Sequence, residues 1–205
     1  LGPRSKSEPG SYLYCGLSRD ASKEEILERI NNNTITDILN KIEVKAGDVV
    51  MVKAGTIHAI GAGVFICEIQ QNSNCTYRMY DYDRRDKFGN PRELHVKKAL
   101  DVVDNHKYIK DNKTEVVIAR NEHFTEERLV QCKYFEVYKY DVNDEAKITV
   151  DEASFVSVLF INGSGTIETD DYEKTMEFKA GDSFFVSAGL RSIIIKGQAT
   201  MVVTR

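Results

Sequence analysis

Val44-Lys-Ala-Gly-Asp-Val-Val-Met-Val-Lys-Ala-Gly-Thr-Ile-His58 returns in altered form as Phe178-Lys-Ala-Gly-Asp-Ser-Phe-Phe-Val-Ser-Ala-Gly-Leu-Arg-Ser192. The two copies align at one constant offset, with no gap. Each copy places an apolar run, Val49 to Val52 or Ser183 to Val186, between two glycine turns. Such runs bounded by Gly read as short strands. Gly55 permits a tight turn, and the strand that follows carries the last residue of the segment to one face. That residue is His58 in the first copy and Ser192 in the second. What the scaffold needs is present in both copies, so the imidazole that only the first carries is a candidate for function.

Outward from the repeat, the pattern stays mostly β. Upstream, Tyr12 to Cys15 reads as a strand. Ser22-Lys-Glu-Glu25 has capping-box spacing, with Ile26, Leu27 and Ile30 as a helical face. A second short helix is expected over Ile35, Ile38, Leu39 and Ile42, with Thr34 or Thr36 as cap. Downstream, Thr56 to Ile60, Val64 to Ile69 and Thr76 to Tyr82 read as strands, the last with Arg78 and Tyr80 on one face. Leu94 to Val103 reads as a helix with Leu94, Ala99, Leu100 and Val103 inward. Residues 104–128 look like a connection with one short strand at Val116 to Ile118. In the second half, Tyr134 to Tyr140 and Phe155 to Ile161 are strands, the latter ended by Asn162-Gly-Ser-Gly165. Further strands are expected at Thr166 to Glu168, within Met176 to Val186, and at Ser192 to Ile195 and Ala199 to Val203. Many short strands with Gly-rich turns and few helices predict a sandwich or jelly roll.

Composition narrows the function classes. The 205 residues suit two small domains, and the formal net charge of −4 implies no broad basic surface for nucleic acid or anionic membrane. No apolar window of about 18 residues exists, which argues against a transmembrane helix. The polar start, Leu1 to Gly10, lacks an apolar signal core. Cys15, Cys67, Cys75 and Cys132 contain no Cys-x-x-Cys pair, so a zinc ribbon or redox motif is not expected. Cys15, Cys67 and Cys132 lie in apolar or strand-like runs and are expected as buried reduced thiols, which fits a cytoplasmic protein.

The spacing Gly47, Lys53, Gly55, His58 resembles the second conserved motif of cupins, with Lys53 where that motif usually has Pro. The stretches Ala54-Gly-Thr-Ile-His-Ala-Ile60, Glu68-Ile-Gln-Gln-Asn-Ser-Asn-Cys-Thr-Tyr-Arg-Met-Tyr-Asp-Tyr-Asp-Arg84 and Pro91-Arg-Glu-Leu-His95 resemble type I mannose-6-phosphate isomerase in its short bacterial form. The resemblance runs from about Tyr12 to the terminus. It implies zinc-dependent interconversion of mannose 6-phosphate and fructose 6-phosphate, one zinc ion per site, and a catalytic cupin followed by a smaller jelly roll. Carried over residue by residue, His58 falls on a metal-ligand histidine, Glu68 on an active-site glutamate and Arg78 on the active-site arginine. Aldose–ketose interconversion through an enediol needs a base for the C1/C2 proton and a cation for the developing oxyanion, and a guanidinium suits the second role. Arg84 and Asn74 are the substrate-binding candidates, Arg84 for the phosphate.

The chain also departs from that pattern. The family's Gln-x-His-Pro segment is absent, His58 comes early in the chain, and Tyr12 already aligns beyond the expected glutamate ligand. Three of the four expected metal ligands and several strands of the first barrel are therefore missing. Asn74 stands where the family usually has Asp. His95, His106 and His123 could add ligands only if the fold brought them close. The resulting expectation is an all-β protein of two cupin-like jelly-roll halves, the first incomplete, with a small helical insertion at about residues 18–42. The boundaries are 1–103 for the catalytic part, 104–128 for the connection and 129–205 for the smaller jelly roll. The alternative to the isomerase is a non-catalytic cupin-type module that binds sugar phosphate or serves a structural role. Open strand edges in the first half predict self-association there.

Overall fold

The computed structural model describes residues 10–73, 75–110, 116–169 and 175–205. The chain is mostly β and divides into two compact units, Leu1–Lys110 and Asp111–Arg205.

In the first unit, β1 (Tyr12–Leu17) lies between β2 (Leu39–Glu43) and β3 (His58–Ile60), antiparallel to both. Helix α1 (Lys23–Asn31) starts as its capping box dictates: Ser22 Oγ accepts from the Glu25 N–H at 3.1 Å. Ile26 and Ile30 are buried with Leu17, Ile35 and Ile38, while Leu27 faces outward. The expected second helix is a single 3-10 turn over Ile35–Ile38, and Thr34 makes no side-chain cap bond. Leu39 and Ile42 belong to β2, because pairing with β1 satisfies backbone groups that a short helix would leave open. Helix α2 (Val96–Val102) buries Ala99 and packs Val96, Leu100 and Val103 on the same core, with Leu94 left exposed.

Three expected strands of this unit carry no ladder among the described residues: 49–52, 64–69 and 76–82. The first two are apolar runs and the third alternates, but neither pattern supplies a pairing segment. A strand also needs a partner for its N–H and C=O groups. Phe65 and Ile66 are exposed, and so is Cys67, contrary to the expectation of a buried thiol.

The second unit is an eight-stranded antiparallel sheet built around two long strands, β8 (Val156–Thr169) and β11 (Arg191–Thr204). β11 pairs with β6 (Glu136–Val142), β7 (Glu145–Val150) and β8. β9 (Met176–Lys179) and β10 (Ser183–Val186) pair with β8. The short strand expected at Val116 to Ile118 is present as β4 (Val116–Arg120), and the rest of the expected connection up to residue 128 forms most of β5 (Phe124–Gln131), the two extending the sheet from β6.

Asn162 to Gly165 does not end its strand. Gly163 and Gly165 continue β8, where a Cβ would collide with the Gln198 and Lys196 carbonyls of β11. These glycines serve a close approach of two backbones rather than a turn. Inside the unit, Phe160, Ile193, Ile195, Met201 and Val203 are fully or almost fully buried, and the Phe160 and Phe178 rings stack with centroids 3.7 Å apart. Each such side chain contributes about 1.5–3 kcal/mol by leaving water.

The sequence repeat is also a geometric one. The Lys45 N–H donates to Asp48 Oδ2 at 2.9 Å, and the Lys179 N–H to Asp182 Oδ2 at 2.9 Å. Gly47 and Gly181 have φ of +93° and +92°, and Gly55 and Gly189 have +84° and +80°.

Candidate functional site

His58 opens β3, where its backbone pairs with Cys15 of β1. Its Nδ1 lies 3.0 Å from the Thr56 carbonyl oxygen. A carbonyl only accepts, so Nδ1 carries the proton and Nε2 keeps its lone pair. The ring is exposed. That tautomer suits a metal ligand bonded through Nε2 with its other nitrogen held by a carbonyl. Ser192, at the same place in the second copy, is the second residue of β11 and is buried.

Gly55 sets the corner that delivers His58. Its carbonyl accepts from the Asp104 N–H at 2.9 Å, and a Cβ there would lie 2.7 Å from the Val102 carbonyl oxygen. The end of α2 is thus packed directly on the turn.

Arg78 is half-buried and held at several points. Its carbonyl accepts from the His95 N–H at 2.6 Å, and its own N–H points at His95 Nδ1 at 3.3 Å. Its Nη1 donates to the Glu93 carbonyl at 3.4 Å. Arg84 is exposed, with its guanidinium carbon 5.2 Å from the centroid of the Tyr82 ring. Burial, with Tyr14 and Tyr12 nearby, pushes the Tyr82 hydroxyl above its ordinary pKa, and Arg84 opposes this. Glu68 is exposed on the segment without a ladder. Asn74 lies outside the described residues.

Among the described residues, no hydrogen bond or ion pair joins His58, Glu68, Arg78 and Arg84 to one another. Nor do three His, Cys, Asp or Glu side chains gather as a cation site. His106 is instead paired with Asp104 at 3.1 Å, and His123 with Asp144 at 2.9 Å. A catalytic zinc wants three protein ligands plus water and a structural one wants four. The described residues offer one well-prepared ligand, His58, and do not by themselves fit the ion.

Two features escaped the sequence reading. His95 caps α2 without a side-chain cap bond; its ring is turned to the Arg78 backbone instead. Asp81 keeps only 12% of its side chain exposed, with Oδ1 3.4 Å from Arg92 Nη1 and Oδ2 buried without a partner among the described residues. The alternating pattern put Asp81 opposite Arg78 but gave no sign of its burial.

Two like-built corners, each a Gly-Asp turn followed by an Ala-Gly turn into a strand, define a cupin-type fold. The profile of the family "Mannose-6-phosphate isomerase, cupin domain" matches residues 125–205. The YvyI protein of Bacillus subtilis (strain 168) is 42% identical over 202 residues, covering 96% of this chain and 60% of its own length. Mannose-6-phosphate isomerase ManA of the same organism is 33% identical over 193 residues, covering 89% and 56%. The crystal structure of mannose 6-phosphate isomerase from Bacillus subtilis superimposes with a TM-score of 0.86 at 35% identity, covering 97% of this chain and 62% of that one. The chain belongs to the type I mannose-6-phosphate isomerase family of the cupin superfamily. It spans about three-fifths of the length of the curated relatives it matches. Among the described residues, no helix is long and apolar enough to cross a membrane.

Proposed function

We propose that this chain takes part in the interconversion of mannose 6-phosphate and fructose 6-phosphate. The observation that carries the reading is Arg78: a half-buried residue with a permanently charged guanidinium, whose backbone and side chain are both tied down. Pre-positioned positive charge is what an enediolate oxygen needs, because no reorganisation is then required as the charge develops. Glu68, on the preceding segment, is the carboxylate we propose as the polar group that could carry a proton. Arg84, braced on Tyr82, offers an exposed guanidinium to a phosphate, and Asn74 is retained as the second substrate-binding candidate.

Zinc is the metal we propose for His58 Nε2. When bound, it would polarise a sugar oxygen. Because the described residues supply only one ligand, no step is derived through the ion. A cytoplasmic location goes with this reading.

The second reading, a sugar-phosphate-binding module without turnover, is favoured by the absence of a three-ligand cluster among the described residues. Coupled assay of fructose 6-phosphate formation, with and without added zinc, separates the two. Zinc-dependent turnover supports the isomerase. Fructose 6-phosphate shifting the melting temperature without turnover supports the binding module, and neither effect refutes both.

A further inference from the structure

We infer that His95 is the positioning residue for Arg78, acting through its ring nitrogen Nδ1 as a hydrogen-bond acceptor for the Arg78 backbone N–H. This inference rests on the role proposed above for Arg78.

The geometry is specific. Arg78 and His95 are distant in sequence, and two bonds of different kinds tie them together. The His95 N–H donates to the Arg78 carbonyl at 2.6 Å, as in a strand pair. The return bond does not go to the His95 carbonyl, which is directed along α2 and accepts from the Ala99 N–H at 2.9 Å in its first turn. The ring takes its place: the Arg78 N–H donates to Nδ1 at 3.3 Å. His95 thus serves a helix and a strand-like segment at once, which needs a side-chain acceptor at that position.

The tautomer follows. Nδ1 accepts, so the proton of the neutral ring sits on Nε2. The Glu93 carboxylate lies 3.8 Å from Nε2, on the donor side, and the Tyr77 ring is tilted beside the imidazole with centroids 6.3 Å apart. The Glu93 carbonyl in turn receives Arg78 Nη1 at 3.4 Å. Glu93 and His95 therefore hold the two ends of one residue, guanidinium and backbone.

What makes this a clamp rather than a chance contact is where His95 stands. Helix α2 is fixed by Ala99, Val96, Leu100 and Val103 in the core of the first unit. The segment that carries Arg78 has no ladder of its own. Without the bond to the ring, its N–H at residue 78 would turn to water and the side chain would lose its fixed origin. Placement errors of about 1 Å at a charged group can cost a hundredfold in rate.

The test uses isosteric replacements in the full chain. His95→Asn sets an amide oxygen near the position of Nδ1, and His95→Gln sets its amide near Nε2. Hydrogen exchange at the Arg78 amide should quicken about tenfold in His95→Gln, as expected for one lost net hydrogen bond, and stay within about threefold of the parent in His95→Asn. Turnover should follow the same order, with kcat reduced in His95→Gln, KM little changed, and rescue in His95→Asn. Equal exchange in the parent and His95→Gln overturns the inference. So does an equal loss in both variants at unchanged melting temperature. Failure of the Arg78 role is read separately: Arg78→Gln would then leave kcat intact while exchange at residue 78 still responded to His95→Gln. Absence of turnover in the unaltered chain would sink the proposed function and leave the exchange measurement to decide the clamp.

Discussion

Replacing Gly55 by alanine should damage the first unit far more than replacing Gly189 by alanine damages the second. The two glycines are the same position of the repeat, with φ of +84° and +80°. An alanine in this left-handed region costs about 1–2 kcal/mol at either site. Their surroundings differ. At Gly189 a new Cβ would meet only Glu152 Cγ, at 3.9 Å, which is ordinary contact. At Gly55 it would lie 2.7 Å from the Val102 carbonyl oxygen and 3.2 Å from the Asp104 nitrogen. Both are backbone atoms at the end of α2 and neither can swing aside. Forcing them apart adds about 1–3 kcal/mol, as overpacking generally does. The expected totals are about 1–2 kcal/mol for Gly189→Ala and about 2–5 kcal/mol for Gly55→Ala. Gly47→Ala and Gly181→Ala are the controls, since both have open space and nearly equal φ. Urea-dependent hydrogen exchange, followed by mass spectrometry on peptides from each unit, assigns each cost to its own unit. A difference between Gly55→Ala and Gly189→Ala below about 0.5 kcal/mol, the usual error of additivity, would refute the steric argument.

Other consequences follow from the same structure. Phe160→Ala should destabilise the second unit by about 3–5 kcal/mol and leave exchange in the first unit unchanged; a matching loss in both would contradict the division into two units. The Asp144 carboxylate raises the pKa of His123, and His123 lowers that of Asp144. The His123 share of stability is full below the ordinary histidine value of about 6.5 and is lost as pH rises through the raised folded value. The Asp144 share is present above the ordinary aspartate value of about 3.9 and is lost as pH falls through the lowered one. Histidine proton titration by NMR should therefore show the His123 pKa dropping in Asp144→Asn, and no drop would dismiss the pair. Ser22→Ala should cost about 1 kcal/mol by removing the bond to the Glu25 N–H, read as faster exchange in α1. The chain should self-associate through the first unit's unladdered segments, and a monomer in light scattering at high concentration would exclude this.

Much of the fold was legible because local chemistry and tertiary need agree. The Ser22 capping box and the apolar run of β10 appear where the residues put them, and the strand expected at Tyr134 to Tyr140 is present two residues further on as β6. The strand readings at 49–52, 64–69 and 76–82 failed for one physical reason: an apolar run or a period of two describes side chains, and a ladder depends on another segment. Gly163 and Gly165 misled in the opposite sense, since a glycine is silent about whether it turns the chain or admits a neighbour. β5 was missed because Glu126 and Glu127 make its first half look like polar connection, whereas β7 was legible, since Glu145-Ala-Lys-Ile-Thr-Val150 alternates and Ala146, Ile148 and Val150 are its buried face. In the site, His58 and Arg78 stood out by motif. The role of His95 did not, because a ring nitrogen bonded to the backbone of a distant segment leaves no mark in spacing.

The exposed ring of His58 and the buried hydroxyl of Ser192 stand at one position of one architecture. Mutations there are judged by different quantities. At residue 58 the exposed side chain meets few packing demands, so a reaction would be the stricter judge of a substitution. At residue 192 packing itself is the judge, whatever the protein does. Duplicated corners of this kind let a lineage keep one copy as a structural standard while the other is free to acquire, retain or lose chemistry.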